Sequence, residues 1–209
     1  MTHTKRPFST ALPQPGTQAY EPATATDQVQ WYVMRDLKRS NAKHPAWEML
    51  KEQGIEFFTP MHTRLVNRGS RQVRVEQPYV ANLLFVHSTT RVLNPLVKLI
   101  PTFQYRYRRS GKYHDCMTVR EEDMQRFIHA VESTQKVRYY LPDELTPEMI
   151  GKSIRIIGGP LNGYVGHLLS VRGLRSKHLL VELPGHLTAA VEINPDYIEV
   201  IKESGPAAG

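Results

Sequence analysis

Three residues in the middle of the chain have side chains that could support catalysis. His114, Asp115 and Cys116 are a base, an acid and a nucleophile, but adjacent residues on a strand or turn point in divergent directions. A working triad instead converges side chains from separate segments. The nine histidines show neither a cysteine-pair spacing nor a His-Glu-x-x-His spacing, so the sequence predicts no metal site. We therefore expect no enzymatic activity and no cofactor.

A glycine-rich stretch, Gly-Gly-Pro-Leu-Asn-Gly at residues 158–163, has some likeness to a phosphate-binding loop. Such a loop needs Lys followed by Ser or Thr after its last glycine, and a helix N-terminus for the anion. Here Tyr164 and Val165 lead into a predicted strand instead. The stretch predicts a tight connection whose glycines tolerate positive φ, with Leu161 and Tyr164 at its tip. These two apolar side chains are either incidental or a docking point.

Basic residues are grouped in three places. One group lies where the first predicted strand enters the first predicted helix, a second follows a short predicted helix, and the stretch 64–75 carries four arginines and no acid. Such groups can neutralise phosphates without reading bases, although ordinary solvated charge remains an alternative for each residue. The first group is Arg35, Lys38, Arg39 and Lys43, and the second is Arg106, Arg108, Arg109 and Lys112.

The positive charge is confined to one part of the chain. Residues 30–133 hold 17 Lys and Arg against 10 Asp and Glu, which equals the whole net charge of +7, whereas residues 147–209 are neutral. A basic unit joined to a neutral unit suggests that nucleic acid meets the basic half. A single cysteine, Cys116, fits a reducing compartment. Because Lys5 and Arg6 precede no apolar run and no segment is long enough to span a membrane, we expect a cytosolic protein. We also expect it to be a monomer.

The elements that position these groups predict an α+β domain with an antiparallel sheet flanked by helices. Seven of the eight residues 79–86 are apolar, which favours a strand buried on both faces. The order of strands and helices lacks regular alternation, which argues against a parallel sheet. In chain order we predict a strand at 30–35, a helix from Ser40 to Gln53, a strand at 55–60, a basic hairpin at 64–75, the buried strand at 79–86, a short helix at 94–100, a strand at 103–108 and a helix opened by the capping box Thr118-Val-Arg-Glu121.

Beyond Pro147 the sequence changes to five strand-length runs separated by Gly and Pro. For so small a unit, without metal ligands or disulfides, this pattern predicts closure as a small β-barrel. The predicted organisation is a disordered tail at 1–28, a first domain at 29–133, a linker at 134–146, a barrel domain at 147–203 and a disordered tail at 204–209.

Taken together, the two domains resemble the NusG family of transcription elongation factors. The first domain is similar to the family's NGN domain, and Gly151–Gly166 is similar to its KOW motif, which implies an SH3-like five-stranded β-barrel. The NGN likeness rests on Trp31-Tyr-Val, Gly54-Ile-Glu-Phe-Phe-Thr-Pro-Met61, Leu83-Leu-Phe-Val86 and Met124-Gln-Arg-Phe127. The details Gly54-Ile-Glu, Thr118-Val-Arg and Ile193-Asn-Pro-Asp-Tyr197 are most similar to the UpxY-type specialised antiterminators of capsular polysaccharide operons.

The resemblance implies binding partners for three sets of residues. The β′ clamp helices of RNA polymerase would be bound by Tyr79, Val80, Leu83, Phe85 and Tyr107. Non-template DNA, and with it nascent RNA, would be met by Arg35, Lys38, Arg39 and Lys43. Leu161 and Tyr164 fall where NusG binds a small-subunit ribosomal protein or Rho. Family members commonly show Phe-Pro-Gly/Asn-Tyr where this chain has Val80-Ala-Asn-Leu83, so its polymerase pocket would be aliphatic.

The implied function is antitermination at particular operons, namely those for polysaccharide biosynthesis. Such a factor bridges the polymerase cleft and favours the elongating state, and it would be cytoplasmic and associated with the nucleoid through polymerase. Two alternatives remain open: a general NusG-type elongation and termination factor, and a ribosome-associated KOW protein that binds RNA. Some specialised members refold the KOW region as a helical hairpin that masks the polymerase site, whereas the Gly, Pro and β-branched content here favours the barrel.

Overall fold

The computed structural model describes residues 26–38, 44–108 and 115–201. They form an N-terminal unit, residues 26–132, with seven strands and three helices, and a C-terminal unit, residues 137–201, with six strands. The tail predicted at 204–209 and nearly all of the tail predicted at 1–28 lie outside the described residues. No described helix has the length and apolar character needed to span a membrane.

The N-terminal unit is built on an antiparallel sheet. Its elements are β1 Gln30–Asp36, α1 Ala46–Glu52, β2 Glu56–Phe58, β3 Met61–Arg68, β4 Arg71–Pro78, β5 Leu84–Ser88, α2 Thr90–Leu99, β6 Phe103–Tyr105, β7 Thr118–Val119 and α3 Glu121–Glu132. The strand order is β2-β5-β1-β6, with β7 also paired to β1, while β3 and β4 form a separate two-stranded sheet. The antiparallel pairing agrees with the sequence-based expectation.

Both faces of this sheet are buried, and strand alternation divides its side chains between them. On one face, Tyr32 and Met34 of β1 pack beneath α1 and α2. On the other face, Trp31 and Val33 pack with Met124, Phe127 and Ala130 of α3. The spacing of three residues along α3 places these last three side chains on one side of the helix.

All three helix starts differ from the sequence-based expectation. Helix α2 begins at Thr90, with Thr89 as its N-cap, and not at residue 94. Helix α1 begins at Ala46, directly after Pro45, and the predicted capping residue Ser40 lies outside the described residues. The predicted capping box at Thr118 is wrong, because Thr118 pairs with Tyr32 in β7 and the N-cap of α3 is Arg120, which makes no side-chain cap. The first turn of α3 instead carries three acids, which suit the positive end of the helix dipole.

The C-terminal unit is a six-stranded antiparallel sheet. Its strands are β8 Val137–Tyr140, β9 Ile150–Ile156, β10 Val165–Leu169, β11 Lys177–Leu183, β12 Leu187–Ile193 and β13 Ile198–Val200, in the order β13-β9-β10-β11-β12-β8. All five predicted runs fall on strands, and β8 adds a sixth within the segment 134–146, where the sequence predicts a linker. The outermost strands β13 and β8 do not pair with each other among the described residues, so the predicted closed SH3-like barrel is not observed.

The two units share one apolar core. Helix α3 packs on β11 and β12, and the buried cluster on its side of the N-terminal sheet continues into Ile154, Leu179 and Val191 of the C-terminal unit. Apolar contact of this extent removes water from both surfaces and stabilises the packed state. We refer to this packing of the two units as the closed arrangement.

Candidate functional site

Four of the predicted polymerase-binding residues surround a bend before β5. The Tyr79 amide donates to the Pro60 carbonyl at 2.7 Å, and the Leu83 amide donates to the Val80 carbonyl at 3.1 Å. Because the backbone turns here, β5 begins at Leu84 and not at residue 79, where the sequence predicts its start. The bend lets residues on both sides of it reach one cluster, and we call this set of four the bend patch: Tyr79, Val80, Leu83 and Phe85.

Tyr107, the fifth predicted residue, lies apart from the bend patch. It packs in the cluster beneath α1 and α2, with its ring centroid 6.3 Å from that of Tyr105. Its backbone forms an isolated antiparallel bridge with Cys116. The structure therefore groups four of the five residues and places Tyr107 on the other face of the sheet.

The centre of the bend patch is covered by the C-terminal unit in the closed arrangement. Leu83 is 3% exposed and Phe85 is fully buried. The ring of His186, from the turn between β11 and β12, meets the Phe85 ring edge-on with centroids 5.8 Å apart. Burial lowers the pKa of His186, and the positive charge of Arg106 lowers it further. A surface that is apolar enough to bind another protein is thus held inside the molecule.

The rim of the bend patch is held by polar and aromatic contacts. The Tyr79 hydroxyl donates to a Glu144 carboxylate oxygen at 3.0 Å, and the ring of Tyr79 lies 5.7 Å from that of Tyr139 on β8. Burial, followed by the hydrogen bond to Glu144, raises the pKa of Tyr79. The segment predicted as a linker therefore contributes to covering the bend patch.

Tyr164, predicted to bind a partner of the C-terminal unit, is half-buried and contacts α3. Its hydroxyl donates to the Arg126 carbonyl at 3.0 Å and lies 2.8 Å from His129 Nδ1. Because that hydroxyl proton is given to the carbonyl, His129 Nδ1 is the donor in the second bond. The guanidinium of Arg126 stands 5.0 Å from the Tyr164 ring centroid and also donates to the Val165 carbonyl. This junction links α3 to the start of β10.

The glycine-rich loop before Tyr164 is packed closely. Gly159 and Gly163 have φ of +68° and +83°, as the predicted tight connection requires, and a Cβ at Gly158 would come within 2.7 Å of the Tyr197 ring. The expectation that Leu161 stands exposed at the loop tip is wrong, because Leu161 is only 5% exposed and packs in the shared core. The loop is a structural turn in the closed arrangement.

The predicted nucleic-acid residues are only partly described. Arg35 directs Nε and Nη2 to the Gln104 side-chain oxygen at 3.1 and 2.8 Å, and Lys38 Nζ donates to the His44 carbonyl at 2.7 Å. Arg39 and Lys43 lie outside the described residues. The structure thus leaves the proposed grouping of all four side chains untested.

Arg106 joins the bend to this basic region. Its Nη2 donates to the backbone and side-chain oxygens of Asn82 at 3.1 and 3.3 Å, while its Nε is buried and has no partner among the described residues. Burial lowers the pKa of Arg106, and the nearby charge of Arg35 adds to the effect. A positive charge therefore stands beside the bend patch.

The structure describes two of the three residues considered for catalysis, Asp115 and Cys116. Burial raises the pKa of the Cys116 thiol to about 12, with the charge of Asp115 a smaller cause, so the thiol stays protonated near neutral pH. His114 lies outside the described residues. Within the described part of the chain, no group of three or more His, Cys, Asp or Glu side chains could hold a metal ion.

Several residues that form the closed arrangement were not singled out from the sequence. The pattern of α3 predicts a solvated face at Arg126 and His129. The Pro-Gly pair before His186 predicts only a turn. No local pattern identifies them, because their role depends on a second unit that is distant in sequence.

The N-terminal unit matches a known protein family. No curated protein matches the chain. Residues 29–128 match the family model described as NusG, transcription termination factor nusG. The antiparallel sheet with its three helices fits the NGN-like fold that the match implies. The match supports the NusG family for the N-terminal unit, which is accordingly similar to a transcription elongation and termination factor.

Proposed function

We propose that this chain is a NusG-like factor that binds RNA polymerase through the bend patch and suppresses pausing and termination. The observation that carries the proposal is the family match over residues 29–128, which includes the whole bend patch. NusG proteins are transcription factors that act by binding and not by catalysis. A bound factor favours the elongating state of polymerase only to the extent that it binds that state better.

The bend patch has the character of a docking surface for helices. Val80, Leu83 and Phe85 present aliphatic and aromatic groups, and Tyr79 adds a ring with a hydroxyl at the rim. Buried centres of protein interfaces are apolar, with aromatic anchors and a polar rim. The β′ clamp helices are the proposed partner, and Tyr107 takes no part because it lies on the other face of the sheet.

Polymerase binding through this surface requires the closed arrangement to open. Phe85 is fully buried and contacts His186, so a clamp helix reaches it only after the C-terminal unit has moved away. The free energy of opening then reduces the apparent affinity for polymerase. The C-terminal unit is a regulator of binding in this proposal.

Two further surfaces complete the proposal. Arg35, Lys38, Arg39 and Lys43 are proposed to contact non-template DNA and nascent RNA. Leu161 and Tyr164 are proposed to bind a small-subunit ribosomal protein or Rho. Tyr164 contacts α3 in the closed arrangement, so opening would free it for such a partner.

The role is proposed to be specialised. The similarity of Gly54-Ile-Glu and Ile193-Asn-Pro-Asp-Tyr197 to UpxY-type antiterminators supports action at polysaccharide operons. The protein would act in the cytoplasm and reach the nucleoid with polymerase.

A binding and readthrough assay tests the function. The full-length chain is added to core RNA polymerase, and run-off transcription is measured on a template with a polysaccharide-operon leader and on one without it. We expect binding on both templates and increased readthrough only with the leader. In Val80→Asp, binding should fall at least about tenfold, because a charge on the bend patch would have to be desolvated at the interface.

The matched control is Val171→Asp, which places the same charge at an exposed valine of the C-terminal unit. It should bind polymerase as the unmodified chain does. Unchanged readthrough at saturating protein on the leader template would contradict antitermination. Equal binding by the two variants would exclude the bend patch.

A further inference from the structure

The basic hairpin formed by β3 and β4 projects from the molecule. These two strands pair only with each other among the described residues. Each has eight residues, which corresponds to about 27 Å at roughly 3.4 Å per residue. Its outer half is largely exposed, with Leu65 59% and Val73 38% accessible. An isolated two-stranded ribbon gains little stability by itself in water, so its length needs another explanation.

The base of the hairpin is fixed to the body of the protein. The Gln77 and His62 side chains are 3.1 Å apart across the two strands, and the His62 ring meets the Tyr79 ring edge-on at 5.6 Å. The two-residue turn at the tip contains Gly69 with φ of +62°. The ribbon is therefore anchored at one end and closed tightly at the other.

Strand register places three arginines on one face of the ribbon. Directly opposed residues share a face, and Arg64 opposes Val75 while Arg68 opposes Arg71. Since side chains two residues apart also share a face, Arg64, Arg68 and Arg71 lie on one face, and Arg74 lies on the other. This face, which we call the arginine face, carries no acid.

The arginine face lacks internal counter-charges. None of the ion pairs seen among the described residues involves Arg64, Arg68 or Arg71. The single acid of the hairpin, Glu76, is paired with Thr63 on the opposite face. Two like charges directly across a strand pair, as at Arg68 and Arg71, destabilise the ribbon. An anion bound at the tip would relieve that repulsion.

We propose that the arginine face binds the phosphate backbone of double-stranded DNA, with the ribbon lying in the major groove. A two-stranded ribbon fits the major groove of B-form DNA, whereas the major groove of A-form RNA is too narrow. Guanidinium groups match phosphate geometry, and phosphate contacts hold a protein on DNA without selecting a sequence.

Composition favours a duplex over a single strand. Proteins that bind single strands stack bases on aromatic rings, and the segment 61–78 contains no Phe, Tyr or Trp. The site is separate from the basic group at Arg35 and Lys38, and it does not depend on polymerase binding.

The test measures binding of the full-length chain to a 25-base-pair duplex of arbitrary sequence between 50 and 200 mM salt. The variant Arg64→Gln, Arg68→Gln, Arg71→Gln removes the three charges. The control Arg120→Gln, Arg155→Gln, Arg172→Gln removes three exposed charges elsewhere, so both variants have the same net charge.

Three phosphate contacts are expected to make the affinity fall by about 40-fold between 50 and 200 mM salt. We expect the hairpin variant to lose this part of the salt dependence and to bind at least about tenfold more weakly at 50 mM salt. The control variant should retain both. A triple replacement of the same hairpin residues by Lys should retain the salt dependence, because Lys also neutralises phosphate.

Several outcomes would overturn the proposal. Equal losses in the hairpin and control variants would show only a general charge effect. Tighter binding of a single strand or of duplex RNA, with the same dependence on the hairpin arginines, would reject duplex DNA as the ligand. A third outcome would assign the arginine face to an acidic protein. In it, polyaspartate binding depends on the hairpin arginines and DNA binding does not.

Discussion

The Tyr164 hydroxyl is a single group that connects the two units. It donates to the Arg126 carbonyl and accepts from His129, so both hydrogen bonds join α3 to the residue that precedes β10. The ring below the Arg126 guanidinium adds an attraction that does not need the hydroxyl. The hydroxyl and the ring can therefore be separated by experiment.

Tyr164→Phe should shift the molecule away from the closed arrangement. Each hydrogen bond contributes about 1 kcal/mol net, so losing the hydroxyl should lower the closing constant at least about fivefold. The measurement is energy transfer between fluorophores attached at the exposed positions 52 and 172. Tyr197→Phe is the control, because Tyr197 forms hydrogen bonds only through its backbone, and only within the C-terminal unit, among the described residues. An unchanged closing constant would show that the ring contacts alone hold the junction.

At the scale of elements, β10 depends on a residue without a side chain. A Cβ at Gly166 would lie 2.6 Å from the Leu180 carbonyl oxygen and 3.0 Å from a methyl group of Leu179, both on β11. A backbone oxygen in a paired strand cannot move aside without separating the strands. The close approach of β10 and β11 thus requires glycine at this position.

Gly166→Ala should destabilise the C-terminal unit. The overpacking is expected to lower the free energy of unfolding by about 1–3 kcal/mol. Thermal and urea unfolding of the full-length chain measure the change, with Ser170→Ala, at an exposed neighbouring position, as the control. If Gly166→Ala and the control had the same free energy of unfolding, the two strands would accommodate the added methyl group without a loss of stability, which would contradict the prediction.

Elements with strong local patterns were predictable from sequence. The turn after Arg68, the strand at Gln30–Asp36 and the apolar side of α3 are fixed by glycine, by aromatic and β-branched residues, and by three-residue spacing. The capping box failed because the backbone of Thr118 is used in strand pairing. The strand β8, within the segment predicted as a linker at 134–146, was not predictable. It is only four residues long and gains its stability from pairing with β12.

The candidate site was only partly predictable. Grouping Leu83 with Val80 and Phe85 required the bend, because strand alternation alone would not place these three residues together, and only the family resemblance implied the grouping. Their burial by the C-terminal unit was not predictable, because the same apolar residue types occur in partner-binding surfaces and in cores. The contacts of Arg126 and His186 arise only from tertiary packing.

At the scale of the whole molecule, the closed arrangement should weaken as the pH falls. Burial lowers the pKa of His186 in the closed arrangement, whereas opening would return it towards its ordinary value of about 6.5. The open state therefore binds a proton that the closed state excludes. The contribution of His186 to closing is fully present above about pH 6.5 and declines below it.

Energy transfer between the same two positions measures this dependence. We expect the closing constant to fall by up to about tenfold per pH unit below pH 6.5, and His186→Gln to remove that part of the change. His44→Gln, which alters a side chain that is 80% exposed, should not change the pH dependence of the closing constant. A pH profile that is the same in all three proteins would rule out His186 as the group responsible.

Two different parts of the chain pack against the sheet of the N-terminal unit. One part remains in place in the proposed function, and polymerase binding would have to displace the other. Helices α1 and α2 stay over the first face, but opening would present Leu83 and Phe85 to water together with their neighbours. An uncovered apolar surface of that kind promotes self-association. Under the proposed function, the C-terminal unit would therefore cover this surface again after release from polymerase, and closed molecules would not associate with one another through it.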